Sequence, residues 1–151
     1  MNLGISKQTI NKIKMDQNIL YIGIELDQES KNLLREKFGD QNEEWKIYCH
    51  HMTCIFNNGK DTELTEYEEK WLEKNKNVPI FLIVSHYGES EKVAAVRVMS
   101  NAPCRNKYPH VTLGVNTKNG GKPYDSNKIT NWTLTEPLIL VGYVKYWTKR
   151  K

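Results

Sequence analysis

Apolar and polar residues alternate along several short runs of this chain, and the runs predict a mixed α and β fold. ILYIGIEL is rich in residues that favour strands and predicts the first strand over 19–26. ESKNLLREKF (29–38) carries apolar residues at helical spacing and predicts a helix. Asp27 or Ser30 can cap the start of this helix and Gly39 can end it. The chain therefore begins as strand, helix and glycine stop.

The rest of the chain is richer in predicted strands than in helices. The predicted strands are IYCHHMTCIF (47–56), VPIFLIVSHYGES (78–90), KVAAVRVM (92–99), PHVTLGV (109–115) and LILVGYVKYW (138–147). A glycine-containing turn joins the second and third of these as a hairpin. The acidic stretch at 64–75 predicts a short helix or a solvated connection. A long polar turn ends in helix-capping residues before KITNW (128–132) and predicts a helix there.

Two of the predicted strands carry a histidine and a threonine two residues apart. Because alternate residues of a strand face opposite sides, His51 and Thr53 share one face of the strand at 47–56. His110 and Thr112 share one face of the strand at 109–115 in the same way. Each half of the chain thus offers an imidazole and a hydroxyl roughly 7 Å apart along a strand whose other face is apolar.

Strand parity also predicts which face of the strand each neighbour of the first motif occupies. It places Cys49 and Ile55 on the motif face, and it places His50 on the opposite face with Phe56. His50 is accordingly interpreted as a packing or edge residue. His86 stands close to the predicted hairpin turn and is expected to face solvent.

Two histidines and two hydroxyls suit hydrolysis or transfer at a phosphodiester. One imidazole can take a proton from the nucleophile while the other gives a proton to the leaving oxygen, and a pKa near neutrality allows both roles. Threonine hydroxyls can donate hydrogen bonds to the non-bridging oxygens and hold the phosphorus in line. This chemistry requires no metal and no cofactor. His51, Thr53, His110 and Thr112 are therefore the candidate catalytic residues.

Two other chemistries use the cysteines near these histidines. Cys49 with His51 and Cys104 with His110 are possible zinc ligands, but their spacing matches no recognised zinc motif. A cysteine nucleophile paired with a histidine is a further alternative, although no pattern singles out one thiol. The prediction is that the chain holds no metal.

Composition limits the kind of protein further. The 151 residues fit one domain, predicted over 18–151 after an N-terminal arm or short helix at 1–17. No apolar run is long enough to span a bilayer, and no secretory signal is apparent, so a membrane partner is not expected. Three cysteines without a CxxC pair favour reduced thiols and a cytoplasmic location. The net charge of +4 permits a phosphate-bearing partner but is equally explained by solubility.

The tetrads HMTC (51–54) and HVTL (110–113) resemble the two H-x-T-x signatures that name the 2H phosphoesterase superfamily. Beyond them, LYIGIELDQES, AAVRV, YPHVTLGV and LVGYVK look like the cyclic phosphodiesterase domain of plant and fungal tRNA ligases. The resemblance covers about residues 19–147 and is specific only at the two tetrads. The ligase and kinase domains of those enzymes have no counterpart here, which leaves a role in tRNA repair open.

The resemblance implies a two-lobed α+β fold, in which two antiparallel sheets face a central groove and the helices lie outside. It implies hydrolysis of a 2',3'-cyclic phosphate or a related phosphodiester, with a nucleotide or RNA terminus as the substrate. His51 and His110 would be base and acid, in an order left open, and Thr53 and Thr112 would orient the phosphate. No obligate protein partner is evident, and the oligomeric state is left open.

Two alternative functions stay open at this point. Freestanding relatives in the superfamily include viral hydrolases of cyclic or 2',5'-linked defence signals, which would act from the host cytoplasm with the same four residues. A noncatalytic RNA-binding module is the third possibility. Tyr108 and Arg105 are the leading candidates for substrate binding because they lie in the loop before His110, whereas Arg97 is expected to be a structural ion-pair partner. The weaker candidates for binding are Tyr21, Tyr124, Trp147, Lys107 and Lys145.

Overall fold

The chain forms nine strands and two α-helices in a computed structural model that describes residues 13–38, 44–57 and 60–149. The strands are β1 (Ile13–Lys14), β2 (Ile19–Leu26), β3 (Lys46–Ile47), β4 (His51–Phe56), β5 (Glu63–Leu64), β6 (Ile80–Glu89), β7 (Val93–Met99), β8 (His110–Val115) and β9 (Thr133–Thr148). The helices are α1 (Gln28–Phe38) and α2 (Glu66–Lys74), and two short 3₁₀ helices span Thr117–Asn119 and Pro123–Lys128. None of these helices has the length and apolar character needed to cross a membrane.

Six of the strands close into an antiparallel barrel. Their order is β8, β4, β2, β9, β6 and β7, and β7 pairs back onto β8. The short strand β3 extends the same sheet along β8, while β1 and β5 form a separate two-stranded ladder. The closed ring leaves its six strands without a free edge, which protects the backbone groups from pairing with other chains.

The core lies inside the barrel, where one face of each strand is apolar. The fully buried side chains include Ile22 and Ile24 of β2, Met52 of β4, and Val111 of β8. Helix α1 packs on β2, β8 and β9 and buries Leu34 and Phe38. Since the inward residues fill the barrel, polar side chains that alternate with them must face outward.

The α+β class is confirmed, but the two facing sheets expected from the resemblance are not. Strand β8 pairs with β7 on one edge and with β4 and β3 on the other. Strands from both halves of the chain are therefore joined in one continuous sheet. The separation into two lobes would need a break between β4 and β8, and hydrogen-bonded pairing closes that position.

Most of the predicted elements form, and the exceptions are local. The first strand, the first helix, the hairpin and the acidic helix at 64–75 are confirmed, the last with a capping box in which Thr65 and Glu68 bond each other's backbone. The helix predicted over 128–132 is wrong, because the polar turn itself forms the 3₁₀ helix Pro123–Lys128. Gly39 and most of the predicted arm lie outside the described residues, while Met15 at the end of the arm is buried.

Candidate functional site

The two H-x-T motifs lie side by side on neighbouring barrel strands. Strands β4 and β8 are antiparallel, with Met52 opposite Val111, and both of these side chains are buried. Strand parity places the residues that flank this pair on the opposite face, so that His51 and Thr53 of β4 share a side of the sheet with His110 and Thr112 of β8.

The two imidazoles come from neighbouring strands and lie on the same face of the sheet. The charge of His110 is among the causes that lower the pKa of His51, as expected for groups so close together. The four candidate catalytic residues therefore share one patch on the outside of the barrel.

A left-handed backbone at Cys49 changes the face that His50 occupies. Cys49 has φ of +55°, and regular pairing of β4 begins only at His51. Nδ1 of His50 consequently lies 2.6 Å from Nδ1 of His51, and the two rings stack with centroids 4.7 Å apart. The predicted placement of His50 on the opposite face is wrong, because strand parity fails where the strand is interrupted.

Two further parity predictions for the first motif are also wrong. Cys49 is buried, its Sγ donates to the carbonyl of Leu113, and burial raises its pKa to about 11. Further along, the pairing of β2 with β4 shifts register between Thr53 and Ile55, so that Ile55 is buried and Phe56 is 63% exposed. A bulge of this kind inserts one residue and reverses the alternation beyond it.

His51 lies in an aromatic enclosure. Its ring centroid is 5.3 Å from that of Tyr21 and 4.8 Å from that of Trp147, and Tyr21 and Trp147 stack on each other at 4.6 Å. Burial is the largest cause that lowers the pKa of His51, which falls to about 3, and charges on His50 and His110 act in the same direction. The ring is therefore neutral near pH 7, and its Nδ1 faces His50.

His110 is held by a backbone carbonyl. Its side chain is almost wholly buried, and its Nδ1 lies 2.8 Å from the carbonyl oxygen of Tyr108. A carbonyl can only accept, so Nδ1 carries the proton and Nε2 is left for a substrate. Burial lowers the pKa of His110, and the bond to Tyr108 partly opposes that shift because it also stabilises the imidazolium.

The two threonines differ in their support. Oγ1 of Thr112 lies 2.8 Å from Oγ of the buried Ser126, which fixes the hydroxyl. Thr53 accepts through its backbone carbonyl from Asn106 and from Cys104, and across the described ranges its own hydroxyl has no hydrogen bond. Thr53 therefore keeps a hydroxyl that a bound anion can use directly.

Gly23 lies opposite Thr53 on β2, where the two strands approach each other closely. A Cβ at this position would stand 2.3 Å from the carbonyl oxygen of Met52, a distance that no side chain tolerates against backbone. Only glycine allows β2 and β4 to approach so closely at this point.

Arg105 and Tyr108, the two predicted substrate-binding residues, have different surroundings. Arg105 forms a two-pronged ion pair with the buried Glu68, at 2.8 Å and 2.6 Å, and also donates to the backbone carbonyl of Glu63. These bonds occupy Nε and Nη2 and give Arg105 a structural role, so that its role in substrate binding stays a prediction. Tyr108 supplies the carbonyl that holds His110 and is therefore adjacent to the site.

Arg97 is a residue of this surface that the sequence did not single out for binding. It lies directly opposite His110 in the β7 and β8 pairing, and its guanidinium stacks 4.2 Å from the ring of Tyr108 and 5.7 Å from that of Trp132. Over the part of the chain that the structure describes, it has no carboxylate partner, contrary to the ion pair expected for it. The signal in the sequence was only an arginine within an otherwise apolar strand.

The described residues were compared with the zinc and thiolate chemistries that the sequence left open. Among residues 13–38, 44–57 and 60–149, no three His, Cys, Asp or Glu side chains form a group that could hold a metal ion. All three cysteines are free thiols, and burial raises the pKa of each, so none is prepared as a thiolate nucleophile.

Comparison with known proteins does not identify a family. No protein-family model matches this chain, and a search of the curated proteins also found no match. The resemblance to the 2H phosphoesterase superfamily therefore depends on the two motifs themselves.

Proposed function

We propose that this protein is a 2H-type phosphodiesterase that hydrolyses a cyclic phosphodiester of a nucleotide or an RNA end, with two histidines as acid and base. One observation supports the proposal: the register that sets Met52 opposite Val111 gives His51 and His110 one shared face, and the charge of His110 acts on the pKa of His51.

In the proposed reaction His51 is the base and His110 the acid. His51 is neutral and takes a proton from the attacking water, while His110, whose imidazolium is stabilised by the Tyr108 carbonyl, protonates the leaving ribose oxygen. The bond from water oxygen to phosphorus forms as the bond from phosphorus to ribose oxygen breaks. The hydroxyls of Thr53 and Thr112 donate to the non-bridging oxygens.

A substrate panel tests the proposal directly. The protein is incubated with a nucleoside 2',3'-cyclic phosphate, an RNA ending in a cyclic phosphate, and cyclic di- and trinucleotides, each with and without EDTA. We expect turnover of at least one of these and no effect of EDTA. Turnover restricted to cyclic di- and trinucleotides would favour the viral-type signal hydrolase, binding without turnover would favour the RNA-binding module, and loss of activity with EDTA would overturn the metal-free mechanism.

The pKa values of the two histidines predict an acidic optimum. The reaction needs His51 neutral and His110 protonated, and burial lowers both pKa values below the ordinary value of 6.5. Activity should rise as pH increases through the pKa of His51 and fall as pH increases through that of His110. We therefore expect a bell-shaped profile of kcat/KM with its maximum below pH 6.5, because this ratio reports the free enzyme. A maximum above pH 7.5 would contradict the assignment.

A further inference from the structure

A row of polar side chains continues from the candidate site across the outside of the barrel. The β8 and β7 pairing sets His110 opposite Arg97, and the β7 and β6 pairing sets Arg97 opposite His86. Three neighbouring strands thus contribute His110, Arg97 and His86 along one line perpendicular to the strands.

Arg97 in this row is held in place but unpaired. The stack on the rings of Tyr108 and Trp132 fixes the guanidinium plane, and across the described ranges no carboxylate neutralises it. Nε1 of Trp132 is the one buried side-chain nitrogen or oxygen in those ranges that has no hydrogen-bond partner. An arginine supported in this way keeps its donors for an external anion, and a guanidinium matches the geometry of phosphate oxygens.

His86 extends the row by one more strand. It lies in the middle of β6 and is half-buried, contrary to the exposed position expected near a turn. Its Nδ1 contacts Oγ of Ser85 at 2.8 Å, which leaves Nε2 without a hydrogen bond within the described residues. Neighbouring strands lie about 4.8 Å apart, so the row reaches roughly 10 Å beyond His110.

We propose that Arg97, flanked by His86, forms a second anion subsite that binds a phosphate group next to the one held by His51 and His110. The inference rests on the proposed function and narrows its substrate class: the preferred ligand carries an internal phosphodiester in addition to the group at the histidines. A dinucleotide or longer chain meets this requirement, whereas a mononucleotide leaves Arg97 unused.

Calorimetric binding of three ligands tests the subsite without requiring turnover. The ligands are a nucleoside 3'-monophosphate, the matching dinucleotide with the same 3'-phosphate, and that dinucleotide with an uncharged methylphosphonate linkage. We expect the dinucleotide to bind about tenfold more tightly than the mononucleotide, since one charge-assisted contact is worth about that factor, and the methylphosphonate to lose most of this gain.

In the variant Arg97→Gln, the dissociation constants of the mononucleotide and the dinucleotide should differ by no more than about twofold. Arg97→Lys should keep part of the tighter binding of the dinucleotide. Lys70→Gln, which removes an exposed charge on helix α2, is the matched control and should keep the full ratio. Thermal unfolding checks that each variant is folded.

Two results would overturn the inference. The first is equal binding of mononucleotide and dinucleotide by the unaltered protein, and the second is an unchanged ratio in Arg97→Gln. If the ratio is unchanged because both ligands lose affinity equally, Arg97 is assigned to the phosphate at the histidines. Turnover of the substrate panel together with either of these results would refute the subsite and leave the proposed function standing, whereas binding of neither ligand with no turnover would refute both.

Discussion

Replacing His51 or His110 by alanine is expected to lower kcat by a factor of about 10²–10⁴, the usual contribution of one positioned acid or base. The reason is the shared face of β4 and β8, on which each imidazole has a separate proton to move. The measurement is single-turnover hydrolysis of whichever panel substrate the unaltered protein cleaves. Substrate binding, followed by calorimetry, should change much less than kcat because the threonines remain.

Two further variants serve as controls: the double alanine variant of His51 and His110, and Met52→Leu. His51 and His110 act as a unit, so the double variant should lose little more than the worse single variant. Met52→Leu alters a buried residue inside the first motif at nearly constant volume and should keep both fold and activity. Retention of more than a tenth of the activity in either single variant would contradict the two-histidine mechanism.

The sequence predicts the faces of the second motif better than those of the first. β8 pairs with β7 without a register shift over His110–Thr112, and the prediction that His110 and Thr112 face away from Val111 follows from parity alone. Around β4, the left-handed Cys49 and the register shift before Ile55 each reverse the alternation. No glycine or proline stands at Cys49 as a signal, so the contact between His50 and His51 could not be predicted.

Closure of the barrel was also beyond what the sequence could predict. Local patterns identify strands, but they do not say which strand pairs with which, and β8 gains partners on both edges only in the folded chain. The position of Arg97 opposite His110 depends on that pairing. An arginine on an apolar strand often forms an ion pair with a carboxylate, and the sequence analysis predicted such an ion pair for Arg97.

Arg105 is a second residue whose contacts the sequence could not predict, and its loop position suggested ligand binding. The argument from sequence used its nearness to His110 along the chain. In the fold its guanidinium turns to Glu68 of α2, which is 37 residues away in sequence and only 7% exposed. A partner so distant along the chain leaves no local pattern, so Arg105 can be assigned between the two roles only by measurement.

The variant Arg105→Met is expected to lower the free energy of unfolding by about 2–3 kcal/mol, because it leaves the buried Glu68 without its charged hydrogen-bond partner. Methionine keeps much of the aliphatic length, so the loss reports the ion pair more than packing. The measurement is urea denaturation at pH 7. Glu68→Gln is the matched variant and should cost less, since a glutamine can keep the capping bond to Thr65 and the arginine left behind is partly solvated.

The pKa of Glu68 predicts how the loss of stability in Arg105→Met depends on pH. The hydrogen bond from Arg105 is the largest cause that lowers the pKa of Glu68 below its ordinary value of 4.5. A group with a depressed pKa in the folded state contributes stability above its unfolded pKa and loses it as pH falls through the folded value. The difference between the unaltered protein and Arg105→Met should therefore be full at pH 7 and shrink below about pH 4.5. An unchanged stability at pH 7, together with weaker substrate binding, would instead assign Arg105 to the ligand.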